Sequence, residues 1–524
     1  MPLSLSLSLP RLGRHAIAAI AAAMLALPAT DALVSPARAE TPADTLVVAT
    51  MWEALPLAMA PRRSRFFNES EILDTLIKLD YQMTLVPGLA TSWERVSPTV
   101  WRFALREGVT FHDGSPFDAR AAKFSLERVV ALLPYAADLL NIKSMSAPEP
   151  LVLEIETSEP FSALPNQLTD AITVIYGKAS FDEAGQFVTP VGTGPWKLAD
   201  YRKQDRTIVE RFDGYWGAAP ALKTIEYRYI PDHNARAIAL EAGEVDFIDN
   251  LLPSDVARLS ADARFTVHSE ESAGIYYGAI NAGEKSVLSD VRLRRAVNLL
   301  VDRNIVVTGA LDGIGNPAWT FFPASFPWTS EEVTPYSFDP EAAGALLTEA
   351  GYDKSSGIWT KDGEPLTLRI LSYSSRAEMP TITEALAILL KQQGIETKMQ
   401  MFTWEGMLEL VRQGDYDISV VFWTPEMTGH PDLHLKSQFH SKAGMNYQFW
   451  VNEEFDALVD KGRTLDVGPE AFATYVRAQQ ILQEDAPEIP LVHKVFVAAA
   501  KATVEGYKVH PSGFFYDFKS VTKN

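Results

Sequence analysis

The sequence predicts an α/β chain of several lobes, and three observations predict it. Short apolar strands alternate with amphipathic helices, most clearly from 275 to 425. That alternation means a largely parallel sheet with helices on both faces. Predicted helices are closed by Gly243, Gly351, Gly394 and Gly414, because glycine leaves the helical region most readily. Finally, 524 residues with no low-complexity linker after residue 40 imply domains joined by paired crossing strands. Such lobes can close on a ligand as a hinge.

In chain order, the first segment is an address. Arg11 and Arg14 precede the uncharged run Ala16–Ala29, and Ala37-Arg38-Ala39 stands before Glu40. This layout predicts a secretory signal peptide over 1–39, cleaved after Ala39. The run of 14 residues is shorter than the roughly 20 that a membrane helix needs. No cysteine follows it, so the expected product is periplasmic and has no lipid anchor.

Beyond it, Thr45–Thr50 (TLVVAT) reads as a buried strand, Val100–Arg106 alternates like a strand, and Leu151–Thr157 repeats that pattern. Asp118–Leu132 carries Ala121, Phe124, Leu126 and Val129 at helical spacing. Strands follow at Thr207–Arg211, Ile225–Ile230 and Ile275–Ile280, with a helix at 235–243. Helices are predicted over 290–302, 339–350, 380–393, 404–413, 452–462 and 469–484. Strands are predicted at 366–373, 397–402, 418–423 and 495–504. Gly192-Thr193-Gly194-Pro195-Trp196 reads as a turn with positive-φ sites. Asp290, Arg292 and Arg295 read as a structural ion pair at a helix start.

Composition narrows the function. Lys and Arg number 47 against 67 Asp and Glu, a net charge of −20, which argues against a nucleic-acid partner. Zero cysteines exclude disulfides, thiolate zinc sites, iron–sulfur clusters and a cysteine nucleophile, and suit an oxidising periplasm. Neither G-x-S-x-G nor H-E-x-x-H occurs. The absence of both motifs weighs against an exported hydrolase.

Four segments carry a more specific signal. They are VPGLATSWERVSPTVWRFALREGVTFHDGSPFDARAAKFSLERV from Val86; PVGTGPWKL (190–198) with ERFDGYWG (210–217) and AIALEAGEVDFI (237–248); Asn281 with SDVRLRRAVNLLVDR (289–303); and FDPEAAGALLTEAGY (338–352) with GIETKMQMFTWEGMLELVRQGDYDISVVFW (394–423). In this order they resemble the family 5 extracytoplasmic solute-binding proteins of ABC importers, the dipeptide-, oligopeptide- and nickel-binding family. The resemblance implies a type II periplasmic-binding-protein fold of the large peptide-binder kind. Lobe I would span 40–281, with an extra subdomain at about 70–185, and lobe II 282–490. Residues 491–524 would return to lobe I, with crossings near Ala279–Ala282 and Leu491–Val497. It also implies a monomer that hands cargo to ABC permease subunits and needs no prosthetic group. The expected cargo is nickel or another metal chelate, with a di- or oligopeptide as the alternative.

Candidate site residues follow from the same comparison. Peptide-binding members resemble this chain up to Phe422-Trp423, then carry an Asp before a Pro that pairs with the peptide's ammonium. Here residues 424–441 read TPEMTGHPDLHLKSQFHS. His430 takes the place of that Asp, and Asp432 is the substitute carboxylate. With a helix starting near Pro431, His430 and His434 fall one turn apart, a spacing that suits Ni²⁺, Cu²⁺ or Zn²⁺. The alternative is that they and His440 are solvated histidines in a polar loop. Nickel binders are similar over 118–124, 190–196 and 360–373, yet Asp170–Tyr176 has no Arg to clamp a chelate's carboxylates. Arg62, Arg63 and Arg65 are the candidates for that role, or else a solvated cluster. Trp423, Tyr135, Tyr276 and Tyr277 are the expected aromatic walls, and Trp52 a further one.

Overall fold

In the computed structural model, residues 42–53, 70–133, 136, 139–354, 356–424, 427–513 and 516–524 are described. The expected signal peptide, Arg62, Arg63, Arg65 and Tyr135 lie outside them. The elements below all belong to one compact unit, Ala43–Asn524.

The strands are β1 (Thr45–Thr50), β2 (Ala90–Ser97), β3 (Val100–Leu105), β4 (Ile142–Glu149), β5 (Val152–Thr157), β6 (Trp196–Arg202) and β7 (Arg206–Arg211). They continue with β8 (Thr224–Tyr229), β9 (Phe247–Asp249), β10 (Phe265–Ile280), β11 (Thr367–Tyr373), β12 (Glu396–Phe402), β13 (Ile418–Trp423) and β14 (Glu488–Lys501). The helices are α1 (Ala119–Leu132), α2 (His233–Glu241), α3 (Pro253–Ser260), α4 (Val291–Leu299) and α5 (Arg303–Ala310). After them come α6 (Pro340–Glu349), α7 (Met379–Gln392), α8 (Trp404–Arg412), α9 (Glu453–Thr464) and α10 (Pro469–Asp485).

One sheet runs through both lobes in the order β12-β11-β13-β10-β14-β9-β1-β8-β7-β6. β1 is parallel to β8 and β9, and β11 is parallel to β12 and β13. The two parallel sets are joined by the long antiparallel pair β10 and β14. A second sheet, β2-β3-β5-β4, packs α1 on one face and forms the subdomain. Asp118 caps α1 by accepting from the backbone N–H groups of Arg120 and Ala121, as an N-cap aspartate should.

The apolar cores separate along the two long crossing strands. One core takes β10 from Ile275 onward and β14 up to Val492. The lobe I cores take Phe265 and the span from Phe496 to Ala500. Between them the β10–β14 register breaks, from Glu271↔Val495 to Ile275↔His493. The break on β10 falls at Ser272–Gly274. On β14 it falls between His493 and Val495. Such a bulge bends a strand where the register shifts.

Two local expectations change. Gly192 and Gly194 are absent from the positive-φ glycines. They are needed because a Cβ would come within 2.0 Å of the Ile72 carbonyl oxygen and 1.9 Å of that of Glu71. The Asp290 cluster is structural as expected: Asp290 caps α4 and pairs with Arg292 at 2.7 Å.

Candidate functional site

Strand direction locates the site. β9 runs antiparallel to β14, so Asp249 lies at its hinge-ward end, and Thr50 of the parallel β1 lies there too. β13 runs antiparallel to β10 with Trp423 opposite Ile275, so its carboxyl end also reaches the hinge. β11 is parallel to β13, which brings Tyr373 and the following loop to the same place. The carboxyl ends of parallel strands from both lobes thus converge on the register break. In open α/β sheets that is where ligands bind.

On the lobe II side, Arg376 lies over the Phe422 ring, 4.0 Å from its centroid. The side chain is half-buried. Burial opposes its charge, but Tyr276, Tyr373 and Glu378 outweigh burial and raise its pKa. Glu378, the residue before α7, bonds the Lys494 ammonium at 2.9 Å. Burial alone would raise the Glu378 pKa; Lys494 and Arg376 win and hold it at about 2. Lys494 is itself pulled below the ordinary amine range by burial, against the attraction of Glu378. The two shifts do not mirror each other, because Glu378 is attracted by both Lys494 and Arg376, while Lys494 is attracted by Glu378 and Asp249 but repelled by Arg376.

On the lobe I side, the Tyr516 hydroxyl donates to Asp249 and lies 3.0 Å from the Thr50 hydroxyl. The Arg236 guanidinium, which is buried, stands 3.9 Å from the other Asp249 oxygen. Trp52 is half-buried beside this core.

The expected site residues divide into two groups. Trp423 and Tyr276 reach the convergence: Trp423 ends β13 half-buried, and Tyr276 packs on Phe422 at 5.0 Å. Tyr277 instead donates to Gln438 at 3.2 Å and packs edge-on against Phe321. The histidines of the 424–441 loop are buried rather than solvated: His430 is 1 % exposed, His434 0 % and His440 2 %. The helix expected from Pro431 is only Asp432–His434 and widens into a π turn over Leu435–Phe439. His430 therefore packs on Trp328 and Tyr475, while His434 stacks on Phe321 at 4.5 Å. Each imidazole is held in its own aromatic nest. His430 Nδ1 accepts the Asp432 backbone N–H at 3.1 Å, whereas neither His434 ring nitrogen has a hydrogen-bond partner. Burial holds both pKa values at about 3, with Arg463 adding to the effect at His430. Among the described residues, no group of three or more His, Cys, Asp or Glu is arranged to hold a metal ion.

Asp432 is already partnered. It is buried, pairs with Arg463 at 3.3 Å and accepts the Tyr475 hydroxyl at 3.2 Å. Burial raises its pKa against both. Arg463 also lies over Phe161 of the subdomain at 4.6 Å. Nearby, Asn166 donates to the Thr428 carbonyl at 2.9 Å and Arg95 pairs with Asp466 at 2.6 Å. The subdomain and lobe II are in contact along this seam.

Sequence reasoning missed Arg376, Glu378 and Lys494. The signal for the first two was available: a charged pair in the loop between a predicted parallel strand and its following helix. Lys494 gave none, because only the β10–β14 pairing puts it at the pivot.

Two lobes, two crossing strands and strand ends that face the crossing define a hinged binding protein. The chain matches the model of bacterial extracellular solute-binding proteins, family 5, over residues 84–446, and it belongs to that family. It is 26% identical over 468 residues to the dipeptide-binding protein of Escherichia coli strain K12, covering 82% of this chain and 84% of that protein. It is 29% identical over 360 residues to the nickel-binding periplasmic protein of the same strain, covering 64% and 67%. The crystal structure of NikA from Brucella suis in complex with Fe(III)-EDTA has a TM-score of 0.83, 26% identity, and covers 92% of this chain and all of that one. Proteins of this family are transport binding proteins that work with ABC permeases. No described helix is long and apolar enough to cross a membrane.

Proposed function

We propose that this chain is the substrate-binding component of an ABC importer whose cargo is a small solute carrying a carboxylate, held by Arg376. It is exported through residues 1–39, acts as a lipid-free periplasmic monomer, and releases its cargo unaltered. The observation that carries this reading is the placement of Arg376. It sits at the carboxyl end of a parallel strand, supported by Phe422, while the nearest carboxylate, Glu378, is bonded to Lys494. A guanidinium held this way is suited to paired hydrogen bonds with a carboxylate.

Two cargo kinds fit that chemistry. A metal chelate built on carboxylates is the first, supported by the nickel-binding relative and by the Fe(III)-EDTA held in the Brucella suis neighbour. His434, with both ring nitrogens unpartnered near Trp423 but 0% exposed, would have to be uncovered to reach such a cargo. His430, with Nδ1 already taken, is the weaker metal contact. A short peptide is the second, supported by the dipeptide-binding relative; Trp423 and Tyr276 would then pack on its side chains, and Asp432 would have to leave Arg463 to meet its ammonium. Arg62, Arg63, Arg65 and Tyr135 remain proposed contacts from lobe I and the subdomain.

The test is native mass spectrometry with metal analysis on protein purified from its own periplasm, followed by calorimetry of the identified cargo on Arg376→Ala. Loss of a charge-assisted hydrogen bond should cost about 1.5–3 kcal/mol. Unchanged affinity would remove Arg376 from the site.

A further inference from the structure

We infer that Lys494 is a specificity-determining residue: it leaves the floor of the binding site one positive charge in excess, and so selects cargo that presents a carboxylate there. This rests on the assignment of Arg376 above and names the residue that sets its preference.

Lys494 sits at the pivot, between His493, which pairs with Ile275, and Val495, which pairs with Glu271. Its side chain is 9% exposed. Three rings surround the ammonium: Phe496 at 5.0 Å, Phe422 at 5.7 Å and Tyr276 at 5.9 Å. Its one close carboxylate is Glu378. Arg376 shares the Phe422 ring and the field of the same carboxylate. Asp249, across the pivot in lobe I, also attracts Lys494, and it stands 3.9 Å from the Arg236 guanidinium and accepts from Tyr516. Burial keeps the phenols of Tyr276 and Tyr373 protonated. Among these described residues, three cations (Lys494, Arg376 and Arg236) therefore face two carboxylates (Glu378 and Asp249). The uncompensated charge lies in a low-dielectric floor walled by aromatic rings, where a Coulomb interaction is stronger than at the surface. A cargo carboxylate restores neutrality; an amide of the same shape does not. A buried amine that served only as a structural partner for Glu378 would act equally on charged and uncharged cargo.

The experiment compares carboxylate with carboxamide. Wild type, Lys494→Met, Lys494→Arg and Glu378→Gln are titrated calorimetrically with two probe pairs. One is alanyl-alanine and its C-terminal amide; the other is nickel(II) bis-histidine and nickel(II) bis-histidinamide. Wild type should prefer the carboxylate form in at least one pair. Lys494→Met should lower that preference by at least about tenfold, since a unit charge even roughly 10 Å away at an effective dielectric of about 20 is worth that much, and Lys494→Arg should keep it. Glu378→Gln, which retains both cations, should raise it. A carboxylate-to-amide ratio unchanged in both Lys494→Met and Glu378→Gln overturns the proposal and leaves Lys494 a structural counter-ion. A wild type without carboxylate preference also overturns it. If Arg376→Ala still weakens the probes in that case, the site assignment survives; if it changes nothing, the assignment fails as well.

Discussion

Consider His434→Leu, compared with wild type by urea unfolding at two pH values. The imidazole is fully buried, stacked on Phe321 and edged by Phe439, and burial holds its pKa at about 3. In the unfolded chain it titrates at about 6.5. The folded value is depressed, so below 6.5 the unfolded state binds a proton that the native state does not. Native stability is therefore lost as pH falls from 6.5 toward 3. Between pH 7.5 and pH 5.0 this amounts to about 2 kcal/mol for one histidine. Wild type carries that loss and the leucine variant does not. The packing change contributes equally at both pH values and cancels in the difference. His430 and His493, held at about 3 and about 4, titrate in both proteins and cancel too. Relative to wild type, the variant should gain about 2 kcal/mol on acidification. An offset equal at both pH values within about 0.5 kcal/mol would mean the ring is accessible to protons, and would refute the burial argument.

Four further variants have expected outcomes. Trp423→Ala should weaken cargo binding by about 1–3 kcal/mol in calorimetry if this half-buried ring is a wall of the site; a difference near zero removes it. Gly274→Ala would set a Cβ 2.6 Å from the Phe422 ring, so thermal stability should fall by about 1–3 kcal/mol, the cost of overpacking, and cargo affinity should fall with it because Arg376 rests on that ring. Asn166→Ala breaks the buried bond to Thr428 and should cost about 1–3 kcal/mol while shifting scattering profiles toward an open form. Asp466→Ala, which removes a carboxylate 77% exposed, should have little effect, and the reverse order would contradict this reading of the seam.

The strongly periodic elements were legible in the sequence. β1, β3, β11, β13 and helices α6 to α10 fall within a few residues of their predicted bounds. The crossing strands were half hidden. β10 begins at Phe265, but its first half reads TVHSEES, without an apolar run. β14 begins at Glu488, where a buried glutamate and Pro490 argue against a central strand. Burial raises the Glu488 pKa well above the ordinary carboxylate range. The loop histidines misled for a related reason. TPEMTGHPDLHLKSQFHS is polar in composition, and the partners that bury it, Trp328, Tyr475 and Phe321, come from segments far away in sequence. Local pattern reports what a segment contains; it does not report which distant aromatic groups cover it.

The hinge and the clamp share atoms, and this bears on how capture would proceed. Phe422 supports Arg376 at 4.0 Å, packs against Tyr276 at 5.0 Å, and leaves room beneath it only because residue 274 is glycine. Gly274 lies in the register break that separates the two cores, so a rotation absorbed there acts directly on the Phe422 ring. Lys494, in the opposite crossing strand at the same level, fixes the Arg376 loop through Glu378. On the site assignment proposed above, a change of lobe angle would alter the setting of the guanidinium, and a carboxylate seated on it would favour one angle over others. Differential affinity of this kind is what a ligand needs in order to shift a conformational equilibrium. Cargo that lacked the carboxylate would lose the contact and the bias toward closure together, so its weaker binding should be accompanied by a scattering profile that stays open at saturation.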